Sequence, residues 1–114
     1  MFAAAAEALV SIAIEIGDVE PRNPYPIEAR GEDQESLLVN FLNEVLYFLD
    51  GARVAFRRFD VGRFEANHVT ATGWGEPREA ARHRARIVVK GVTYHQLRIT
   101  HAPGRSEAEV YLDI

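Results

Sequence analysis

The chain has 114 residues, 17 acidic and 13 basic side chains, a formal net charge of −4 with histidine neutral, 47% hydrophobic residues and no cysteine. Those values fit one small soluble domain spanning 1–114 that buries roughly two-thirds of its unfolded surface. They exclude a disulfide scaffold, a cysteine nucleophile, a thiolate zinc site and an iron–sulfur centre, and they weigh against holding nucleic acid by phosphate neutralisation alone.

Residues 2–14 predict an alanine-rich helix with Leu9, Ile12 and Ile16 at spacings of three and four. Its start has no Ser, Thr, Asp or Asn cap, and Glu7 and Glu15 interrupt it too early for a signal peptide. Gly17 is expected to stop this helix, and Pro21, Pro24 and Pro26 to form a stiff connector into a short strand at 27–30. Asp33 is a good cap for a second helix reaching Asp50. Along it Leu37, Leu38, Phe41, Leu42, Val45, Leu46 and Leu49 make a wide apolar stripe, with Asn40, Asn43, Glu44 and Tyr47 off it.

From Arg53 the period becomes two. Val54 and Phe56 fall out of phase with Phe59 and Val61, which predicts a β-bulge at Arg57-Arg58. Gly62-Arg63 is expected to turn the chain into a long strand ending near Trp74, broken by Gly75, Glu76 and Pro77. A charged loop or single helical turn follows at 78–84. A β-branched run then covers 87–95, and Pro103-Gly104 turns the chain into a last strand with Ala108, Val110, Leu112 and Ile114 inward. The predicted fold class is α+β, two helices packed on a mostly antiparallel sheet. No run reaches the ~20 apolar residues a membrane helix needs, and the cytoplasm is the expected compartment.

Glu109, Tyr111 and Asp113 share the outer face of the last strand, so the Asp113 carboxylate lies beside the α-carboxylate of Ile114. Two adjacent oxygen anions repel, and a hard cation such as calcium would relieve them; an ordinary strand end in solvent explains the same residues. Lys90 is the only lysine among thirteen cations. On a regular strand it would share a face with Val88, Val92 and Tyr94, where an ammonium is a reactive, pKa-shifted group or an edge-strand gatekeeper. His68, His83, His95 and His101 match no zinc spacing. Arg78, Arg82, Arg84 and Arg86 around His83 form a local basic cluster, suited to phosphate, to an acidic partner or simply to solvent.

Taken together, several motifs resemble the archease family. They are Glu28-Ala29-Arg30-Gly31, Leu38-Val39-Asn40-Phe41-Leu42-Asn43-Glu44, Gly73-Trp74-Gly75-Glu76-Pro77, Arg82-His83, Val89-Lys90-Gly91-Val92-Thr93-Tyr94-His95 and the ending Leu112-Asp113-Ile114. The resemblance implies a protein cofactor, not an enzyme. It would activate an RtcB-type RNA ligase in tRNA splicing and RNA repair by promoting guanylylation of the ligase histidine by GTP, and so multiple turnover. It also implies a divalent cation, usually calcium, held by Asp113 and Ile114 with an aspartate from an N-terminal strand. Lys90 would contact the ligase active site or its nucleotide, with His83, His95 and Glu44 as further contact candidates. RNA would be met only within the ligase complex, and no membrane is involved.

The family opens with a His-Thr-Ala-Asp-type strand that has no counterpart here, since Met1-Phe2 resembles the middle of the first helix. Asp18 matches only the helix-end loop. An N-terminally incomplete domain is therefore expected, through a late start codon or a real truncation. Two rival readings stand beside the cofactor: a small metal-dependent phosphoesterase using Asp113, His83 or His95, and an RNA-binding module using the loop 78–86.

Overall fold

A computed structural model describes residues 1–113; at 94–98, 100, 102, 106 and 107 it describes the backbone alone. The elements in chain order are α1 (Phe2–Ala13), a 3-10 turn (Ile16–Asp18), β1 (Asn23–Arg30), α2 (Gln34–Leu46), a π-helical turn (Tyr47–Gly51), β2 (Val54–Phe64), β3 (His68–Pro77), β4 (Gly91–Ala102) and β5 (Arg105–Asp113). They build the α+β architecture. The strands are all antiparallel but form two sheets instead of one, a three-stranded sheet in the order β1-β3-β2 and a two-stranded ribbon β4-β5.

α2 lies at the centre because its apolar stripe is wide enough to meet several neighbours. Leu37, Leu38, Val39, Phe41, Leu42, Val45 and Leu46 are all buried, and the helix touches α1, β1 and β4. Its start is a reciprocal capping box: the Ser36 N–H donates to Asp33 Oδ1 (2.8 Å), and the Asp33 N–H donates to Ser36 Oγ (3.0 Å). The Ser36 N–H and hydroxyl hold the Asp33 carboxyl below its ordinary value. At the other end Arg78, whose side chain is 8% exposed, donates from Nη1 to the Leu49 carbonyl (3.1 Å) and to Asp50 (3.0 Å). A cation there suits carbonyls left over where a helix ends.

Several boundaries differ from expectation. α1 ends at Ala13, before Gly17, because Ile14 is extended and its backbone bridges to Ala85. The buried residues of α1 are Phe2, Ala6, Leu9, Val10 and Ala13, with Ile12 outward. Only Pro21 stays in the connector; Pro24 and Pro26 are strand, since β1 runs from Asn23 and pairs along its length with β3. Pro24 and Pro26 are two residues apart, so both rings take the side of this edge strand that faces away from β3, where no ladder bond is lost. Arg30, in the same phase, gives its carbonyl to Asn40 Nδ2 (2.8 Å).

The register of β2 shifts between Phe56 and Arg58, as the phase slip predicts, and again between Val61 and Arg63. Gly62 is thus an irregularity within the strand and not its turn, which lies at 65–67. Gly75, Glu76 and Pro77 do not break β3 but pair with Phe56, Ala55 and Val54. β4 starts at Gly91, later than the β-branched run suggests: Ile87 and Val88 are exposed, and Val89 alone of the three is buried. On β5, Glu109, Tyr111 and Asp113 face solvent while Ala108, Val110 and Leu112 pack against the core.

At Gly75 the β2 backbone closes on β3. A Cβ there would stand 1.8 Å from the Ala55 carbonyl oxygen and 2.8 Å from its carbon, both backbone atoms that cannot swing aside. Gly75→Ala is therefore expected to cost more than about 3 kcal/mol or to prevent folding. Gly17→Ala, where a Cβ meets nothing within 4 Å, should be tolerated. Urea unfolding of the two variants checks the contrast; equal effects would refute the close-approach argument.

Candidate functional site

Two of the predicted site residues come together at the open end of the β4-β5 ribbon. Gly91 and Asp113 are paired across the ladder, and the Lys90 N–H donates to the Asp113 carbonyl. Both side chains are exposed. Lys90 does not lie on a strand among valines: it sits one residue before β4, with Val88, 67% exposed, on the chain before it. The environment is solvent, not an apolar face.

Asn43 fixes this end to α2. Its Nδ2 donates to the Val92 carbonyl (3.1 Å) and its Oδ1 accepts from the Val92 N–H (2.9 Å), so one side-chain amide plays the part of a neighbouring strand. Glu44, next in sequence, is half-buried, and Tyr47 is exposed one turn further on. His95 and Ile114 fall outside the described side chains and residues.

The implied cation can be tested against the donors present. Among the described residues no three His, Cys, Asp or Glu side chains converge. Asp113 brings one carboxylate, whereas calcium takes six to eight oxygens. The described donor set does not by itself make a resident calcium site.

His83 is placed differently from expectation. It is 1% exposed, so it cannot be a surface contact, and both ring nitrogens are engaged. Nδ1 accepts from the Glu79 N–H (2.9 Å), which leaves the proton on Nε2 to donate to Glu76 Oε2 (2.9 Å). Glu76, 2% exposed, also accepts from the Glu20 N–H (2.9 Å) and from both terminal nitrogens of Arg82 (3.0 and 3.2 Å), with Arg22 Nε at 3.5 Å. Burial alone would raise its pKa. The Glu20 N–H, His83 and Arg82 outweigh burial and bring it from 4.5 down to about 2.

Glu76 is the residue that sequence reasoning missed as a site. Strand alternation puts it in phase with the half-exposed Trp74, and only the final residues of β3 depart from that pattern. Three of the four loop arginines are likewise occupied. Arg78 caps the turn after α2, Arg82 serves Glu76, and Arg86 Nη1 donates to the Ser11 carbonyl (3.2 Å) and lies 3.8 Å from Glu15. The groove lined by Arg82, Arg84 and Arg86 also carries Glu15 and Asp18, so it is of mixed charge, not a basic patch.

The fold and this end of it define a small α+β protein that presents one lysine and one aspartate on a helix-anchored ribbon. The model of the Archease protein family matches residues 1–114, and the chain belongs to that family. It is 36% identical over 117 residues to Protein archease of Pyrococcus abyssi, a match covering 99% of this chain and 82% of that one. It is 32% identical over 113 residues to Protein archease-like of Drosophila melanogaster, covering 94% and 70%. The solution structure of Methanobacterium thermoautotrophicum protein 1598 superposes with a TM-score of 0.79 at 30% identity, covering 99% of this chain and 82% of that one.

Two outcomes follow for these residues. Asn43→Ala leaves the buried Val92 N–H and carbonyl without their partner and is expected to cost about 2 kcal/mol, read as a lower urea midpoint. Because the folded pKa of Glu76 is depressed, its contribution is fully present above pH 4.5 and is lost as pH falls toward about 2. The urea midpoint of Glu76→Gln should therefore fall less steeply than that of the unaltered chain across this window; parallel curves would contradict the assignment.

Proposed function

We propose that this protein is a cytoplasmic cofactor that activates an RtcB-type RNA ligase in tRNA splicing and RNA repair, without being an enzyme itself. It would promote guanylylation of the ligase histidine by GTP and so sustain multiple turnover. The observation that carries the reading is the exposed Lys90 beside Asp113 at the open end of the ribbon. A lysine ammonium is a compact charge on a flexible stem, suited to reaching a nucleotide phosphate in a partner's cleft, where the planar arginine fork is not interchangeable with it.

Membership of the family supports the cofactor reading over the rivals, and so does the interior placement of His83, which removes one base or ligand from a phosphoesterase. The mixed charge around 78–86 and the net charge of −4 give free RNA little to bind. The divalent cation, calcium, that this reading attaches to Asp113 and Ile114 would need further oxygens beyond the described donor set. Glu44 and His95 remain candidate contacts with the ligase, and tRNA is met only within that complex. Among the described residues no helix is long and apolar enough to cross a membrane.

Ligation and ligase guanylylation under multiple turnover, with and without the chain, test the reading. Stimulation is expected, with Lys90→Ala and Asp113→Ala each lowering it by about tenfold or more while remaining folded. If the unaltered chain raises neither quantity, or hydrolyses phosphate esters with metal and no ligase, the proposal fails.

A further inference from the structure

Lys90 ends a stretch, 78–90, that joins the three-stranded sheet to the ribbon with no ladder of its own beyond the single Ile14–Ala85 bridge. Its path must be set by other contacts. Downstream, the Val89 side chain is buried and the Lys90 N–H meets the Asp113 carbonyl. In the middle, the Arg86 N–H donates to the Ala13 carbonyl (2.8 Å). Upstream, the Arg78 N–H donates to the Arg53 carbonyl (2.8 Å) and its guanidinium to Leu49 and Asp50, and the buried carboxylate of Glu76 takes Arg82 and His83, while His83 in turn holds the Glu79 N–H and closes the turn 79–83.

A buried carboxylate with charged partners is seldom worth more to stability than packed apolar groups of the same volume. What the Glu76 cluster supplies that apolar groups would not is direction. Its donors come from fixed atoms of the 15–22 segment and of the loop, so one path is satisfied and others leave a buried charge unpaired.

We propose that Glu76 and His83 are positioning residues for Lys90: they hold the segment 78–90 on the single path that brings the lysine beside Asp113. The activity arm of this inference rests on the cofactor reading above, but its structural arm does not.

Three variants in the full chain test it: Glu76→Gln, His83→Ala and His83→Gln, the last keeping an N–H donor near the position of Nε2. Amide hydrogen exchange is compared between 79–90 and the β2-β3 ladder. Labelling of the Lys90 amine is followed in parallel; as the only lysine it gives an unambiguous signal apart from the terminal amine. Glu76→Gln and His83→Ala are expected to raise exchange at 79–90 by about tenfold with the β2-β3 amides changed less than about twofold. They should speed Lys90 labelling and lower the maximal ligase stimulation, and His83→Gln should restore most of each.

Exchange that stays unchanged at 79–90, or that rises uniformly with lost global stability, overturns the proposal, as does His83→Gln behaving like His83→Ala. Should Glu76→Gln fail to fold, the two His83 variants decide the matter. Absence of any ligase stimulation by the unaltered chain would sink the cofactor reading alone, because exchange and labelling still judge the positioning.

Discussion

Burying a carboxylate at the end of a central strand is costly unless donors replace its water, and at Glu76 they come from two separate segments of the chain. The Glu20 N–H belongs to the link between the first helix and the first strand, and Arg82 and His83 belong to the loop after β3. Two irregular segments separated by more than fifty residues of chain are therefore held to one oxygen pair. Removing the acceptor would leave the Glu20 N–H and the buried His83 imidazole without their acceptor and cut the Arg82 guanidinium loose toward solvent. The link and the turn 79–83 are thereby tied to the end of β3.

The second organising element is α2, which works through its polar residues as much as its apolar ones. The leucine and valine stripe packs it among its neighbours, but stripes alone allow sliding and rotation. Asn40 and Asn43, one turn apart, remove that freedom. Asn40 reaches the Arg30 carbonyl on the three-stranded sheet, and Asn43 reaches the Val92 backbone on the ribbon. Each sheet is registered to the same helix by hydrogen bonds that have a direction, so the ribbon with Lys90 and Asp113 has a defined place relative to the main sheet.

Much of this was legible in the amino-acid order where local rules decide. The Asp33 cap, the apolar face of α2, the bulge after Phe56, the Pro103-Gly104 turn and the two faces of β5 all follow from capping, periodicity and turn chemistry, and all are present. The misses share a cause: distant partners override the local signal. Prolines that read as a connector are strand because a partner lies on one side only. Ile14 leaves its helix to meet Ala85, and a Gly-Glu-Pro break stays paired because β2 approaches within backbone contact. Of the candidate site, Lys90 and Asp113 were visible as residue types but their adjacency was not, since it depends on the pairing of β4 with β5. Glu76 and His83 were invisible as a pair, because alternation gives no notice of a charge that turns inward at the end of a strand.

The phase of β1 bears on how this molecule meets others of its kind. An exposed strand edge is a template for cross-molecule pairing, and a domain this small has few elements with which to cover one. Along the outer side of β1, Pro24 and Pro26 offer no N–H, and the Arg30 carbonyl is already taken by Asn40. An incoming strand would find missing donors along the first half of that edge and an occupied acceptor at its end. The opposite edge, β2, carries the charged side chains of Arg57, Arg58, Asp60 and Arg63, which discourage a further strand from pairing there. The residues that shape the main sheet thus also keep it from growing, so self-association through sheet extension is disfavoured at both borders.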